Sequence, residues 1–201
     1  GCFSFFPTKN ITTTEGGMLT FQDKKLFDNA KLIIAHGIDK KLKKNFWHRE
    51  SSLAGHNYRL PNHLAALGFS QLKKLNLFNK KRRAIAKIYD KELSVLNKFF
   101  IIQKIPKNFT HSYQMYTVRV PQKSRNFFLD FMRRKNIEVS VHFDPPLHEQ
   151  KYLKIYSKKK LPKTDILSKE IVTLPIFPDM TKKQAYYVIK NIKLFISTFD
   201  L

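Results

Sequence analysis

The spacing of apolar residues predicts two short strands near the start of the chain, followed by an amphipathic helix. An aromatic and apolar run from Cys2 to Phe6 predicts a buried strand. Met18 to Phe21 predicts a second strand beyond a loop that contains Gly16-Gly17, so the two strands are expected to pair antiparallel. Asp23 then predicts the N-cap of a helix that ends near Ala35.

The middle of the chain is first polar and then helical. The segment from His36 to Pro61 is rich in Gly, His and Asn, and it predicts a long connection of the kind that is usually functional or disordered. Leucines recur at helical spacing from Leu64 to Leu75, and a second amphipathic helix is predicted from Lys80 to Phe99. We place a domain boundary between these two helices, which divides the chain into residues 1–76 and residues 77–201.

The remainder of the chain mixes both kinds of element, which predicts the α/β fold class. Strands are predicted over Phe100 to Ile105, Tyr113 to Val120 and Glu138 to His142. Helices are predicted over Arg125 to Lys135, Leu153 to Tyr156 and Ile166 to Val172, with a final helix capped by Thr181. The lysines from Lys158 to Lys160 indicate a solvated loop.

The net charge of +23 admits two interpretations. Patches of lysine and arginine bind phosphate backbones, which would indicate a nucleic-acid partner. Alternatively, the lysines are spread over solvated faces. Only eight of the 38 basic residues are arginine, the side chain best suited to bidentate recognition of phosphates and bases. We therefore favour solvated lysines and expect no nucleic-acid partner.

The cysteine content and the apolar runs bear on the compartment. Cys2 is the single cysteine, which excludes an intramolecular disulfide and fits a reducing, cytoplasmic environment. The apolar runs fall well short of the about 20 residues that cross a membrane, so no membrane partner is expected. The chain begins with Gly1 and enters an apolar run at once, from which we expect a fragment that starts inside a domain.

A lysine just beyond the first strand is the first candidate for covalent chemistry. Lys9 lies in the loop that ends at Gly16-Gly17. Desolvation favours the neutral amine of a lysine, and a neutral amine attacks a carbonyl to form a Schiff base. The Ser4 hydroxyl, five residues earlier, can bind a phosphate, and the two glycines allow the backbone to approach a flat ring. A lone loop lysine is, however, most often a surface residue.

Four segments, Phe3 to Met18, Gly55 to Gly68, Val141 to Gln150 and Leu174 to Pro178, resemble in this order the DegT/StrS family of nucleotide-sugar aminotransferases. Phe3 to Met18 (FSFFPTKNITTTEGGM) is similar to the family's Schiff-base segment, and Gly55 to Gly68 (GHNYRLPNHLAALG) is similar to its Asn-Tyr-Arg motif with the helix that follows. Val141 to Gln150 (VHFDPPLHEQ) resembles the substrate segment near the C-terminus, and Leu174 to Pro178 (LPIFP) resembles the family's ending. Together the four cover nearly all 201 residues.

The resemblance implies a fold-type I aminotransferase of the α/β class that uses pyridoxal 5'-phosphate. Residues 1–76 would complete the large cofactor-binding domain, and residues 77–201 would form the small C-terminal domain. Lys9 matches the family's Schiff-base lysine, which also shuttles a proton, and Ser4 matches a residue that holds the cofactor phosphate. Asn57 matches an asparagine that reaches the phosphate bound to the neighbouring subunit, which implies a homodimer with shared active sites.

The resemblance also implies a reaction and a substrate. An amino group would pass from glutamate to a keto-deoxysugar linked to a nucleotide diphosphate, at a C4 or a C3 ketone, in amino-sugar and polysaccharide biosynthesis. His142 and His148 lie where the family places substrate-binding residues, and relatives often carry glycine at the position of Thr14. In the family, the carboxylate that pairs with the cofactor nitrogen lies before the lysine, so the fragment alone is expected to be inactive.

Each candidate residue also has a plainer interpretation. Asn57 is suited to an Asx turn or a helix entry, and we favour a bracing role for Arg59 over phosphate binding. His142 and His148 flank Asp144, but without a third strong ligand in the pattern we expect no metal site. For the chain as a whole, the alternative function is a basic nucleic-acid-binding module. An inactive fragment or an interaction domain is the third alternative.

Overall fold

The chain folds as two compact units, Gly1–Leu75 and Asn76–Leu201. The computed structural model describes residues 1–156 and 160–199. Two of the three lysines in the predicted loop from Lys158 to Lys160 therefore lie outside the described residues. In the part of the chain that is described, no helix is both long enough and apolar enough to cross a membrane.

The first unit begins with a two-stranded hairpin and a helix. Strand β1 (Cys2–Ser4) pairs antiparallel with β2 (Gly17–Leu19), and Cys2 lies opposite Leu19. Helix α1 (Lys24–Ile33) begins after Asp23, whose carboxylate accepts hydrogen bonds from the backbone N–H groups of the first helical turn. The predicted hairpin and the predicted helix cap are both confirmed.

The first strand is exposed, so its prediction as a buried strand was wrong. All residues of β1 and β2 are exposed, and the Phe3 side chain keeps 51% of its surface accessible. Within residues 1–75, all of which are described, only Thr13 and Gly37 are buried. The physical reason is size, because a hairpin of only two short strands offers too little apolar surface to bury one of them.

Helix α2 (Asn62–Ser94) is a single helix of 33 residues where the sequence predicted two. No proline or glycine interrupts the segment from Leu75 to Lys80, so the backbone hydrogen bonds can continue through it. The buried residues of α2 are all in its second half: Arg82, Ile85, Ala86, Tyr89 and Leu93. The boundary between the two units therefore falls inside one helix.

The second unit contains a three-stranded antiparallel sheet and three further helices. The sheet order is β3 (Ile101–Ile102), β4 (Tyr116–Arg119) and β5 (Ile171–Leu174). The helices are α3 (Gln122–Arg134), α4 (Pro162–Glu170) and α5 (Lys182–Thr198). Thr181 and Gln184 form a capping box at the start of α5, as predicted for Thr181.

An aromatic cluster lies at the centre of the second unit. Phe99 packs against Phe100, Phe128 and Phe195 with ring centroids between 4.9 and 6.4 Å apart. All four rings are buried, and strands β4 and β5 add Val118 and Val172 to the same core. Burial of apolar surface in this core stabilises the second unit.

Two elements of the second unit differ from their predictions. The segment from Glu138 to His142 forms only an isolated bridge, between Ser140 and Thr173, instead of a strand. The predicted helix over Ile166 to Val172 ends at Glu170, and the chain then continues as β5. Because Ile, Val and Thr favour extended backbone, the run that follows Glu170 pairs with β4.

Candidate functional site

The hairpin loop of residues 5–16, here called the Lys9 loop, is closed by its own backbone. The Phe5 N–H donates to the Gly16 carbonyl at 2.9 Å, and the Thr13 N–H donates to the Phe5 carbonyl at 3.0 Å. A turn starts at Phe6, whose carbonyl accepts from the Lys9 N–H at 2.9 Å. These bonds fix the backbone position of Lys9, because two of them join residues on either side of it and the third closes its own turn.

Threonine hydroxyls add further closure to the Lys9 loop. Thr12 Oγ1 donates to the Phe5 carbonyl at 2.8 Å, and the buried Thr13 donates through its hydroxyl to the Glu15 carbonyl at 2.7 Å. The Thr14 N–H in turn donates to Thr12 Oγ1 at 2.8 Å. Local side-chain bonds of this kind hold a turn in place without a strand ladder.

The end of the loop requires unusual backbone angles. Gly16 has φ +138°, and a Cβ atom there would lie 2.7 Å from Leu60 Cδ1, so only glycine fits. Thr14 has φ 67°, a left-handed conformation that glycine adopts more readily than threonine. A hydrogen bond from the Thr14 N–H to Thr12 Oγ1 at 2.8 Å holds the threonine in this conformation.

The Lys9 side chain is half-buried. None of the ion pairs among the described residues involves Lys9, whereas the carboxylates of Asp28, Asp179 and Glu92 are each paired with another lysine. Its amine is therefore not tied to a carboxylate. An amine that is partly shielded from water and carries no ion-pair partner is suited to attack on a carbonyl carbon.

Ser4 is the last residue of β1 and directly precedes the Lys9 loop. Its side chain is exposed, and its Oγ accepts a hydrogen bond from the Phe6 N–H at a long 3.4 Å. The hydroxyl hydrogen remains able to donate to an anion. The Lys9 loop and the strand residue before it thus provide an amine and a hydroxyl whose neighbours are fixed by one set of backbone bonds.

Asn57 is held next to the end of α1. It forms an antiparallel bridge with Ala35, and the Tyr58 N–H donates to the Ile34 carbonyl at 3.1 Å. Arg59 Nε donates to Asn57 Oδ1 at 3.3 Å, which supports the bracing role predicted for Arg59. Asn57 is exposed, and its amide N–H groups can donate to a ligand while its oxygen accepts from Arg59.

The structure gives His142 and His148 different partners. His142 is exposed, and its Nδ1 lies 3.1 Å from Thr173 Oγ1. His148 Nε2 lies 2.6 Å from Asp165 Oδ1, in the first turn of α4. Asp144, the carboxylate between the two histidines in sequence, instead forms an ion pair with Arg125 at 2.7 Å.

Asp165 is a partner of His148 that the sequence analysis missed. Ligand atoms of His148, Glu149 and Asp165 lie within 4.8 Å of one another. Asp165 is 17 residues away from His148 and belongs to another helix, so no spacing pattern connects the two. The sequence analysis considered His142, His148 and Asp144 as a metal-binding group. The fold instead brings His148 together with Glu149 and Asp165.

The comparisons with known proteins cover nearly the whole chain. The model of the DegT/DnrJ/EryC1/StrS aminotransferase family matches residues 1–193. A UDP-4-amino-4,6-dideoxy-N-acetyl-beta-L-altrosamine transaminase of Campylobacter jejuni is 34% identical over 189 residues, which are 92% of this chain and 49% of that protein. GDP-perosamine synthase of Escherichia coli O157:H7 is 32% identical over 200 residues, 97% of this chain and 51% of that protein.

A solved structure matches the fold to the same extent. Helicobacter pylori PseC, an aminotransferase involved in the biosynthesis of pseudoaminic acid, superimposes with a TM-score of 0.88 at 26% identity. The match covers 98% of this chain and 53% of that chain. The chain therefore spans about half the length of the curated relatives and of the solved structure that it matches.

Proposed function

Because this chain belongs to the DegT/DnrJ/EryC1/StrS aminotransferase family, we propose that it supplies Lys9 as the Schiff-base lysine of a sugar aminotransferase that uses pyridoxal 5'-phosphate. The observation that carries the proposal is the Lys9 loop. Its backbone bonds fix a half-buried lysine that has no ion-pair partner among the described residues. The family match includes the whole of this loop.

The donor groups of the loop fit a phosphorylated aldehyde. A free amine is what an aldehyde requires for covalent attachment, and a hydroxyl that can still donate is what a phosphate accepts. Lys9 and Ser4 provide these two groups, and Gly16-Gly17 leaves the backbone on that side without side chains. When bound, pyridoxal phosphate supplies the electron sink for amino transfer.

Lys9 has two roles in this proposal. Its Nζ would hold the ligand at the loop through the aldehyde carbon, with loss of water. After displacement by the donor's amino group, the same amine would carry a proton away from the donor's α-carbon. Both roles need the lysine to occupy one position, which the closed backbone of the loop provides.

Asn57 and the two histidines complete the proposed site. We infer that the Asn57 amide donates to the phosphate held by a second subunit, so that the active form is a homodimer with shared sites. His142 and His148 would contact the substrate. His142 is the better placed of the two, because its ring is exposed and Asp165 occupies Nε2 of His148.

The proposed substrate is a keto-deoxysugar on a nucleotide diphosphate, and the proposed amino donor is glutamate. Support comes from the relatives, since both curated proteins described above are named for amino-sugar products or substrates. The 201 residues would not complete the site by themselves, because none of the groups described above provides the carboxylate that keeps the cofactor nitrogen protonated. A basic nucleic-acid-binding module is not favoured.

Borohydride reduction of the whole protein tests this proposal. After purification with pyridoxal phosphate and reduction, peptide mass spectrometry should find the cofactor on the peptide that contains Lys9. Lys9→Ala should show no adduct and no turnover, because the variant loses both the attachment point and the proton carrier. Lys24→Ala is the matched control, since Lys24 is an exposed lysine of the same unit that pairs with Asp28. An adduct on any other lysine would overturn the assignment.

A further inference from the structure

Residues 36–52 form a loop whose two ends are tied together. Ile38 and Ser51 form an antiparallel bridge, and the Asp39 N–H donates to the Glu50 carbonyl at 3.0 Å. The Ser52 N–H donates to the Gly37 carbonyl at 2.9 Å. Because these bonds join its two ends, the segment projects as a closed loop. Its ten residues from Lys40 to Arg49 are here called the basic loop.

The basic loop concentrates positive charge. It contains five cationic side chains and no carboxylate: Lys40, Lys41, Lys43, Lys44 and Arg49. The flanking carboxylates have other partners, because Asp39 accepts from the Lys41 backbone N–H at 2.9 Å and Glu50 lies 3.4 Å from His48. None of the ion pairs among the described residues uses any of these five cations.

An aromatic pair lies among these cations. Phe46 and Trp47 meet edge to face, with ring centroids 4.4 Å apart and planes at 86°. They are 81% and 67% exposed, and Phe46 is the most exposed large hydrophobic residue among those described. Two perpendicular rings form an open corner that can hold a third flat ring against the face of the indole.

We propose that the basic loop binds the nucleoside diphosphate part of the substrate, with the base stacked on Trp47 and the diphosphate between the lysines. Every nucleobase has a π-face that stacks on an aromatic side chain, and lysine ammonium groups neutralise phosphate as mobile point charges. The choice of ligand rests on the function proposed above. One aromatic corner suits one base, and five cations within the same ten residues more than neutralise the negative charge of one diphosphate.

The sequence offers a direct optical test, because Trp47 is the only tryptophan of the 201 residues. With excitation at 295 nm, titration with UDP or GDP should give saturable quenching of the Trp47 fluorescence. Uridine and inorganic pyrophosphate, the two halves of UDP, should each bind at least tenfold more weakly. Quenching by the diphosphate should also weaken as salt rises, because exposed charges are screened.

Variants assign the site to the loop while keeping the reporter. Phe46→Ala and the double variant Lys43→Gln/Lys44→Gln should each raise the dissociation constant for UDP several-fold. Phe69→Ala is the matched control, because Phe69 is also exposed and lies under the Lys73 ammonium at 4.4 Å, but outside the basic loop. Its dissociation constant should be unchanged. Circular dichroism of each variant verifies that these exposed substitutions leave the fold intact.

Calorimetry on the whole protein provides a second measurement that does not depend on fluorescence. Trp47→Ala should weaken UDP binding by roughly 5- to 150-fold, the range for loss of one base–aromatic stack. The proposal is wrong if Trp47→Ala and Phe69→Ala bind UDP equally well. It is also wrong if pyrophosphate binds as tightly as UDP, or if only a single-stranded oligonucleotide or an anionic vesicle shifts the fluorescence.

The failure of this inference can be distinguished from the failure of the proposed function. Covalent trapping at Lys9 without nucleotide binding at Trp47 would refute the basic loop and leave the aminotransferase proposal intact. Nucleotide binding at Trp47 without covalent trapping at Lys9 would refute the assignment of Lys9 and leave the basic loop as a nucleotide site. The two readouts involve different residues of the same unit, and neither measurement depends on turnover.

Discussion

Arg82 carries a buried positive charge that stabilises the second unit. Its side chain is 7% exposed, and its Nη1 donates to three backbone carbonyls, those of Tyr113 at 3.1 Å, Gln114 at 3.2 Å and Ile176 at 2.8 Å. Burial lowers the pKa of the Arg82 guanidinium, since desolvation disfavours its charged form. Arg82 thereby joins α2 to two segments that are distant in sequence.

Replacing this side chain with an apolar one should be costly. In Arg82→Met, the two Nη1 protons that serve three carbonyls are lost, and each hydrogen bond from a charged donor contributes about 1.5–3 kcal/mol. Two such bonds represent about 3–6 kcal/mol. Removal of the buried charge offsets roughly 1–2 kcal/mol of this loss. We therefore expect the free energy of unfolding of the second unit to fall by about 2–4 kcal/mol.

Urea unfolding followed by circular dichroism at 222 nm measures this change, because Trp47 lies in the first unit and residues 76–201 contain no tryptophan. Lys81→Met is the matched control. Lys81 is the preceding residue, and its ion pair with Asp179 at 2.9 Å is exposed, so its loss should cost less than about 1 kcal/mol. If Arg82→Met is no more destabilising than Lys81→Met, the three carbonyl bonds do not stabilise the fold and the reasoning fails.

Two further predictions concern the shared site and the pH dependence of stability. A mixture of Lys9→Ala and Asn57→Ala subunits of the whole protein should show more transaminase activity than either variant alone; equal or lower activity would mean that each site is built within one chain. Burial, and then the hydrogen bond to Asp90, raise the pKa of Tyr116, so its contribution to stability is present at neutral pH and is lost as pH rises above about 10. There the free energy of unfolding should fall by about 1.4 kcal/mol per pH unit for this group. An unchanged slope in Tyr116→Phe would contradict that assignment.

Much of the fold was predictable because its signals are local. The cap at Asp23, the capping box at Thr181 and the pairing of the first two strands each depend on residues close in sequence, and all three were predicted. The α/β fold class and the family are confirmed as well. The aromatic run of the first strand could not reveal that the strand is exposed, because exposure depends on what covers the strand.

Arg82 shows what the sequence analysis overlooked. In sequence it belongs to a basic run from Lys80 to Arg83 that is typical of a solvated face. Its spacing to Ile85, Ala86 and Tyr89, however, places it on the buried face of the helix. This helical spacing was visible in the sequence, but the basic composition of the run indicated a solvated face instead.

For the candidate site, the sequence indicated residues, and the fold adds hydrogen-bond partners that the sequence did not indicate. The motif that contains Lys9 indicated a lysine in a loop, and the fold adds the backbone bonds that position it. For His148, the partner Asp165 comes from a helix 17 residues away, and such a contact depends on tertiary packing rather than on any spacing rule. The roles of Lys9, Ser4, Asn57, His142 and His148 stay predictions.

Helix α2 has a consequence for how the chain opens locally. Its hydrogen-bond ladder is continuous from Asn62 to Ser94, yet its buried residues all lie between Arg82 and Leu93. The free energy required to break a backbone hydrogen bond in the native state depends on how much tertiary packing must open at the same time. The first turns of α2 can therefore fray without disturbing the core, whereas the last turns open only with it. The limit of the cooperative folding unit thus falls within one helix and not at either of its ends.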